Sequence, residues 1–465
     1  MTHLFVIVAL IAVHLAGPWA HGLLPHSVPA WAVACMTLAP QVVLGATAWL
    51  AISWCVRRLD RRGDLRAVRW SGQILTLARG LALAWHLAGV FILGALGAAR
   101  DLAGDWILLD ELLAAAPALL LLLWTFRLAH PIEKRIRQAM LIRELDDASP
   151  VYPFPSPWRY VLATARNNAA IMALPLLLIL AWSESLDRIL VMTGGVELAG
   201  LRLDPVIQVA GALLIFALIP PLMVRVWDTV PIPKGPLRDE FERLARVHRV
   251  RVRDFLVWRT GGAMLNAAVI GLTPWLRYIV LTDALLDHLP EIEVEAVAAH
   301  EIAHVRKRHM IWLAIAVLGS AMLTGELLAR GALALPLDPN TAAWLIGAAS
   351  LLAVLLVLGF VSRRFEWQAD AFAARHLAAD APVITHDAAH AMSRALARVS
   401  RLNGMPERRF TWRHGSIATR RRRLETLVGT PVAALPIDRH ARLVVALAIL
   451  AFIAGAALTA ANALL

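Results

Sequence analysis

Apolar residues in this 465-residue chain gather into long runs, broken by short polar stretches and by two long ones. As a helix, about 20 apolar residues cross roughly 30 Å of hydrocarbon. Nine stretches come close to that length, at 3–21, 31–56, 72–97, 106–126, 167–183, 206–227, 311–328, 342–361 and 443–464. The first has no basic residues ahead of it, so it reads as a retained span rather than a signal peptide. The fourth begins beside Asp105, Asp110 and Glu111, of which Asp110 and Glu111 read as interfacial, and the seventh ends at Glu326. The expected organisation is a six-span region over 1–228, a polar part over 229–310 and a transmembrane hairpin over 311–361, then a second polar part over 362–442 and a last span over 443–465. The fold class is therefore mainly α, a polytopic helical membrane protein of about nine spans carrying a domain outside the bilayer.

The charges in the connections alternate with the spans. Residues 57–69 hold six Arg and two Asp, 127–166 hold seven Lys or Arg against four acids, and 362–442 hold fifteen Arg against seven acids. The intervening loops differ: 22–30 has no charge, 184–205 is net acidic and 329–341 has a single Arg. Basic loops stay in the cytoplasm. This places the N-terminus and both long polar parts there, with the C-terminus on the periplasmic side. Trp31, Trp70, Trp106, Trp124, Trp182, Trp227, Trp312 and Trp344 fall near expected span ends, as an interfacial aromatic belt would. The segment 149–157, SPVYPFPSP, is too rich in proline for helix and reads as a linker.

Composition sharpens this picture. The chain is 59% hydrophobic and 17% charged, with mean hydropathy +0.63; soluble domains are about 45–50% apolar and about 25% charged. That composition rules out a disordered chain and points away from a purely soluble enzyme. The net charge of +12 could suggest a nucleic-acid partner, but topology already accounts for it. Only three of the 46 basic residues are lysine, which with the abundant alanine fits a GC-rich bacterial genome and hence an inner membrane.

The first polar part ends in a stretch with chemical content, His300-Glu301-Ile302-Ala303-His304. On a helix the two histidines are i,i+4 and share a face, so both imidazoles can grip one Zn2+ ion. Glu301 is turned about 100° away, beside the ligands and placed as general base toward a water. A catalytic zinc needs a third protein ligand. Just past the eighth span, Glu366 and Asp370 are again i,i+4. Glu366 would complete a His-His-Glu set, and Asp370 would accept a hydrogen bond from a ligand histidine. His309, five residues past His304, points about 140° away on a continuous helix and is not taken as a ligand.

In order, the chain has Asn266-Ala267, Thr282-Asp283-Ala284-Leu285-Leu286, Ala296-Val297-Ala298-Ala299 running into His300–His304, a pair of spans, then Ser362-Arg363-Arg364-Phe365-Glu366-Trp367-Gln368-Ala369-Asp370. This succession resembles the membrane-embedded zinc endopeptidases that include the CaaX prenyl protease of type 1 and the bacterial heat-shock protease HtpX. The resemblance covers roughly residues 230–430. It implies a zincin-like α/β metallopeptidase domain facing the cytoplasm, one Zn2+ per chain, and a protein or peptide as substrate. It also implies a late element near the site, here His414-Gly415-Ser416-Ile417-Ala418-Thr419-Arg420, in which Gly415 stands for the usual proline. By that resemblance His414 and Arg420 would stabilise the oxyanion. The segments 263–271 and 278–281 read as short strands. By resemblance, the strand with Asn266 and Ala267 would be a sheet edge that takes the substrate as an added strand.

The resulting function is hydrolysis of peptide bonds in membrane-associated or misfolded proteins. The alternative is a signal transducer whose zinc domain cleaves or binds one regulatory partner.

Overall fold

The computed structural model describes the chain except residues 1, 18, 19, 26, 147–151, 199–200, 333–335, 337 and 464–465. The start of the proline-rich linker thus lies outside the described residues, and 152–156 have no regular secondary structure. Two compact units are present, Met1–Trp227 and Asp228–Leu465.

The first unit is helical, in the order α1 (Thr2–Leu15), α2 (Ala30–Arg62), α3 (Arg66–Phe91), α4 (Ala95–Ala103), α5 (Leu109–Asp146), α6 (Pro157–Thr164) and α7 (Ala170–Thr193). A small hairpin of β1 (Glu197–Leu198) and β2 (Leu201–Arg202) follows, then α8 (Asp204–Leu218) and α9 (Pro220–Val226). Helices α2, α3, α5 and the joined α6–α7 run are long and apolar enough to cross a membrane. Helices α8 and α9 meet at a 48° bend and reach crossing length and apolarity only as a pair. Pro220 and Pro221 remove two amide donors at that bend.

The first apolar stretch does not form a helix of crossing length. Helix α1 has 14 residues, about 21 Å at 1.5 Å per residue, short of a crossing. Instead Phe5, Ala9, Leu10 and Val13 are buried in the unit's core, and His86 Nε2 sits 3.0 Å from the Ala9 carbonyl. Among the described residues seven helices are long and apolar enough to cross a membrane, or eight spans if the bent pair counts as one, rather than nine. The acidic pair Asp110 and Glu111 is buried in the first turn of α5. Arg100 Nε donates to Asp110 Oδ2 at 2.7 Å. Of the tryptophans, Trp31 and Trp106 are exposed, Trp227 is a core residue, and the side chain of Trp344 lies outside those described.

The second unit begins with β3 (Thr229–Pro231), α10 (Pro236–Val247), β4 (Asp254–Trp258), β5 (Ala267–Ile270) and β6 (Tyr278–Thr282). Then come α11 (Asp283–His288), α12 (Glu291–Arg306), α13 (His309–Ala332), α14 (Pro339–Leu377), α15 (His386–Leu402), α16 (Ile417–Glu425) and α17 (Pro436–Ala463). The sheet order is β3-β4-β6-β5. Strand β6 runs parallel to β4 and antiparallel to β5, which is therefore an edge. The anticipated β5–β6 pair is present; β3 and β4 had not been read from the sequence.

Phe241 and Leu244 of α10, Ile279 and Leu281 of β6, Ile302 of α12, Met392 of α15 and Leu424 of α16 form one core. Where α12 meets α14 the buried residues are small: Ala296, Ala299 and Ala303 on one helix, Ala369 and Ala373 on the other. Short side chains let two backbones approach, which brings the α14 carboxylates within reach of the α12 histidines. Ala369→Leu is expected to overpack this junction and to lower stability by about 1–3 kcal/mol, read as a lowered melting temperature of the purified protein. Helix α12 is further tied to α15 through buried Glu293, whose carboxylate accepts from Arg398 Nε at 2.8 Å.

Helices α13, α14 and α17 contain the three spans of this unit. Helix α14 is continuous for 39 residues, so the same helix holds a span and the segment from 362 onward. Helices α13 and α17 touch through glycines: a Cβ on Gly319 would lie 2.7 Å from the Phe452 nitrogen, and one on Gly455 would lie 2.9 Å from the Leu323 nitrogen. Only glycine permits that approach, so α17 is seated closely on α13.

Candidate metal centre

Helix α12 presents His300 and His304 side by side, with Nε2 atoms 3.2 Å apart. Glu366 comes from α14, its carboxylate oxygens 3.7 Å from His300 Nε2 and 3.8 Å from His304 Nε2. A tetrahedral ion bound at about 2.0–2.1 Å places its ligand atoms roughly 3.3 Å apart. The three side chains therefore converge as a zinc ion requires, and all three ligand atoms lie within 4.8 Å of one another.

Each ligand is held from behind. Asp370 Oδ1 is 2.9 Å from His300 Nδ1. Arg420 reaches both acids of α14. Its Nε and Nη2 donate to Asp370 at 2.8 and 2.6 Å, and its Nη1 lies 3.1 Å from Glu366 Oε2. His414 Nδ1 is 3.0 Å from Glu366 Oε1, with the ring half in solvent. Arg420 is the one buried member of the run Arg420–Arg423, since the first turns of α16 aim it inward. The expected Pro at 415 is a glycine with φ of 75°, a left-handed conformation proline cannot adopt.

The charge balance also fits a cation. Glu366 and Asp370 share the one guanidinium of Arg420, with the Glu301 carboxyl close by, a cluster of acids that a dication would stabilise. Burial raises the Glu301 carboxyl above the ordinary range, against the charge of His300 and the Val269 N–H, which both favour ionisation. Burial, then the charge of His300, holds His304 well below the usual imidazole value, so it is neutral with a lone pair to give. For His300 burial also opposes the charged form, but Asp370 outweighs it and the value is raised. Among the described residues one other acidic group has comparable spacing, Asp105, Asp110 and Glu184 in the first unit; it is already paired with Arg100 and Arg188.

The sheet edge lies beside this centre. The Thr282 N–H donates to the Asn266 carbonyl at 3.0 Å, which sets the hydrogen-bonding parity of the β5–β6 ladder. Ala267 and Val269 therefore turn their N–H and C=O groups away from β6, and the Val269 N–H faces Glu301. Asn266 is exposed, with its backbone bonded inward to Thr282. One residue pair earlier, the outward Leu265 backbone is already taken: Asn403 Nδ2 donates to its carbonyl at 2.8 Å and Asn403 Oδ1 accepts from its N–H at 2.9 Å.

Residues 231–428 match the model of peptidase family M48. The chain carries an M48 peptidase domain. Members of that family are zinc-dependent metallopeptidases, and His300, Glu301, His304, Glu366, Asp370, His414 and Arg420 all fall inside the matched segment. With its apolar helices of crossing length, the chain is an integral membrane metallopeptidase. It is similar to the crystal structure of S. mikatae Ste24p, at 16% identity and a TM-score of 0.43, over 86% of this chain and 100% of that one. No curated protein matches the chain in sequence.

Three residues of the second unit near the M48 centre were not anticipated. His309 was expected to point away, on the premise of an unbroken helix. Helix α12 ends at Arg306, and Arg308 has φ of 56°, so the chain turns sharply and His309 folds back. Its Nδ1 is 2.9 Å from His304 Nδ1, and Gln368 and Asp438 stand behind it. A left-handed arginine leaves no mark in hydrophobic periodicity, which is why this contact was missed.

Proposed function

We propose that this protein is a zinc-dependent endopeptidase of the bacterial inner membrane that hydrolyses membrane-associated or misfolded proteins. His300, His304 and Glu366 would hold one Zn2+ per chain. The observation that carries the reading is the convergence of these three ligand atoms beside a carboxylate, Glu301, that is not a member of the set. Zinc, when bound, supplies a Lewis acid for the scissile carbonyl and a nucleophilic water at neutral pH. Glu301 takes the proton from the attacking water and passes it to the leaving amine. His414, exposed at the mouth of the centre, stabilises the developing oxyanion. Arg420 is fully engaged by Asp370 and Glu366, so its contribution is to hold those two carboxylates in place. The edge of β5 receives the substrate backbone as an added strand through the outward groups of Ala267 and Val269, with Asn266 just ahead of it.

The basic connections support a cytoplasmic position for both polar parts of the M48 domain and a periplasmic end of α17. The N-terminus is left out of this assignment, since α1 does not cross. The test is cleavage of casein by the purified protein in detergent. Wild type should cleave, a zinc chelator should abolish cleavage, and added zinc should restore it; His300→Ala and Glu366→Ala should lose both metal and activity. A folded, zinc-loaded wild type that leaves casein intact would overturn broad proteolysis and favour cleavage or binding of one regulatory partner.

A further inference from the structure

We infer that His309, Gln368 and Asp438 form a relay that fixes the tautomer of His304, so that the first turn of the C-terminal helix α17 determines whether its metal-facing nitrogen carries a lone pair. The inference rests on the zinc reading above and adds three positioning residues to it.

The argument follows the protons. Lys307 Nζ lies 3.0 Å from Asp438 Oδ1, which keeps this carboxylate ionised and able only to accept. The Gln368 amide must then turn its NH2 toward Asp438, and Gln368 Nε2 donates to Asp438 Oδ1. That orientation points Gln368 Oε1 at His309 Nε2, 2.9 Å away. A carbonyl oxygen only accepts, so His309 carries its proton on Nε2 and its Nδ1 is bare. His304 Nδ1, 2.9 Å from that bare nitrogen, must be the donor. With its proton on Nδ1, neutral His304 has a free lone pair on Nε2, the atom that faces His300 and Glu366. Each link has one consistent direction, and the direction is set at Asp438.

The relay is also rigidly mounted. The His309 ring stacks on Phe365 at 4.4 Å and 3° between planes, and His309 is 3% exposed. Phe365 immediately precedes Glu366, so one turn of α14 holds the stacking ring, the third ligand and Gln368. Asp438 opens α17, whose glycine contacts seat it on α13. At the far end, Lys307, Gln368 and Asp438 line a cavity of about 500 Å3 with Trp312 and Arg442. Asp438 can therefore be altered without disturbing the packed core.

The test measures zinc affinity by chelator competition and the visible absorption of the Co2+-substituted full-length protein. Partners behind a metal ligand typically contribute about 10–100-fold in affinity. His309→Ala should weaken zinc by that factor and shift the cobalt spectrum. His309→Asn, whose carbonyl oxygen can stand where Nδ1 stood and accept from His304, should restore both. Asp438→Asn should weaken zinc as well, because the Gln368 amide is then free to turn over and call for the opposite tautomer along the relay. Wild-type affinity and spectrum in both His309→Ala and Asp438→Asn would overturn the relay, and so would His309→Asn behaving like His309→Ala. His304→Ala with undiminished zinc affinity would overturn the zinc reading itself, and the relay with it.

Discussion

Glu301→Gln is expected to bind zinc as the wild type does and to lose about 10²–10⁴-fold in turnover, the usual contribution of a positioned general base. Glu301 lies next to His300 on α12 but is outside the group of three ligand atoms, so the substitution leaves the metal-binding set unchanged. Glutamine keeps the shape and can still accept from the Val269 N–H; it cannot take a proton from water. The loss should therefore appear in kcat, with metal content and KM close to wild type. Normal casein cleavage by zinc-loaded Glu301→Gln would refute the assigned chemistry.

Arg420→Met is the second large effect. Arg420 is 6% exposed and serves two buried acids with three of its nitrogens. Removing it leaves Asp370 and Glu366 without their cation, and breaking a buried ion pair from one side costs about 3–5 kcal/mol. Domains are stable by only about 5–15 kcal/mol, so the zinc-free variant should be at the margin of folding. Zinc should recover part of the loss, because a dication neutralises the same carboxylates and binds only the folded protein. Arg420→Lys should recover less than an arginine provides, since one ammonium cannot bridge two carboxylates with a planar fork. Thermal unfolding with and without zinc checks this; a zinc-free Arg420→Met protein as stable as wild type would refute it.

The parts of the site that were legible in the sequence are those governed by helical period. His300 and His304, or Glu366 and Asp370, can be read as facing pairs because four residues bring a helix almost once around. That α12 and α14 meet could be expected from resemblance, but the reason they meet so closely, a run of buried alanines on each, emerges only in three dimensions. The run of four arginines gave no hint of which one turns inward, since that depends on where α16 begins. Hydropathy counted α1 as a span because it registers apolar residues and is blind to helix length; the helix stops at Leu15, ahead of Gly17 and Pro18. His309 was misjudged for a related reason, the break after Arg306. Contacts such as Asn403 with Leu265, 138 residues apart, have no local signature at all.

That asparagine would also limit the grip of the proposed substrate edge. With Leu265 occupied, the Val269 N–H turned to Glu301 and the strand ending at Ile270, the edge of β5 offers a partner little beyond the outward groups of Ala267 and the Val269 carbonyl. At about 1 kcal/mol net for each of those few hydrogen bonds, the edge alone would hold a freely diffusing peptide no better than millimolar. A polypeptide confined to the same bilayer meets the edge at an effective concentration of that order without any added contact. On this view the membrane is a means of capture: a two-residue edge suffices because the lipid has already brought the substrate close, and anchoring a poor soluble peptide to a lipid should improve it more than lengthening its sequence.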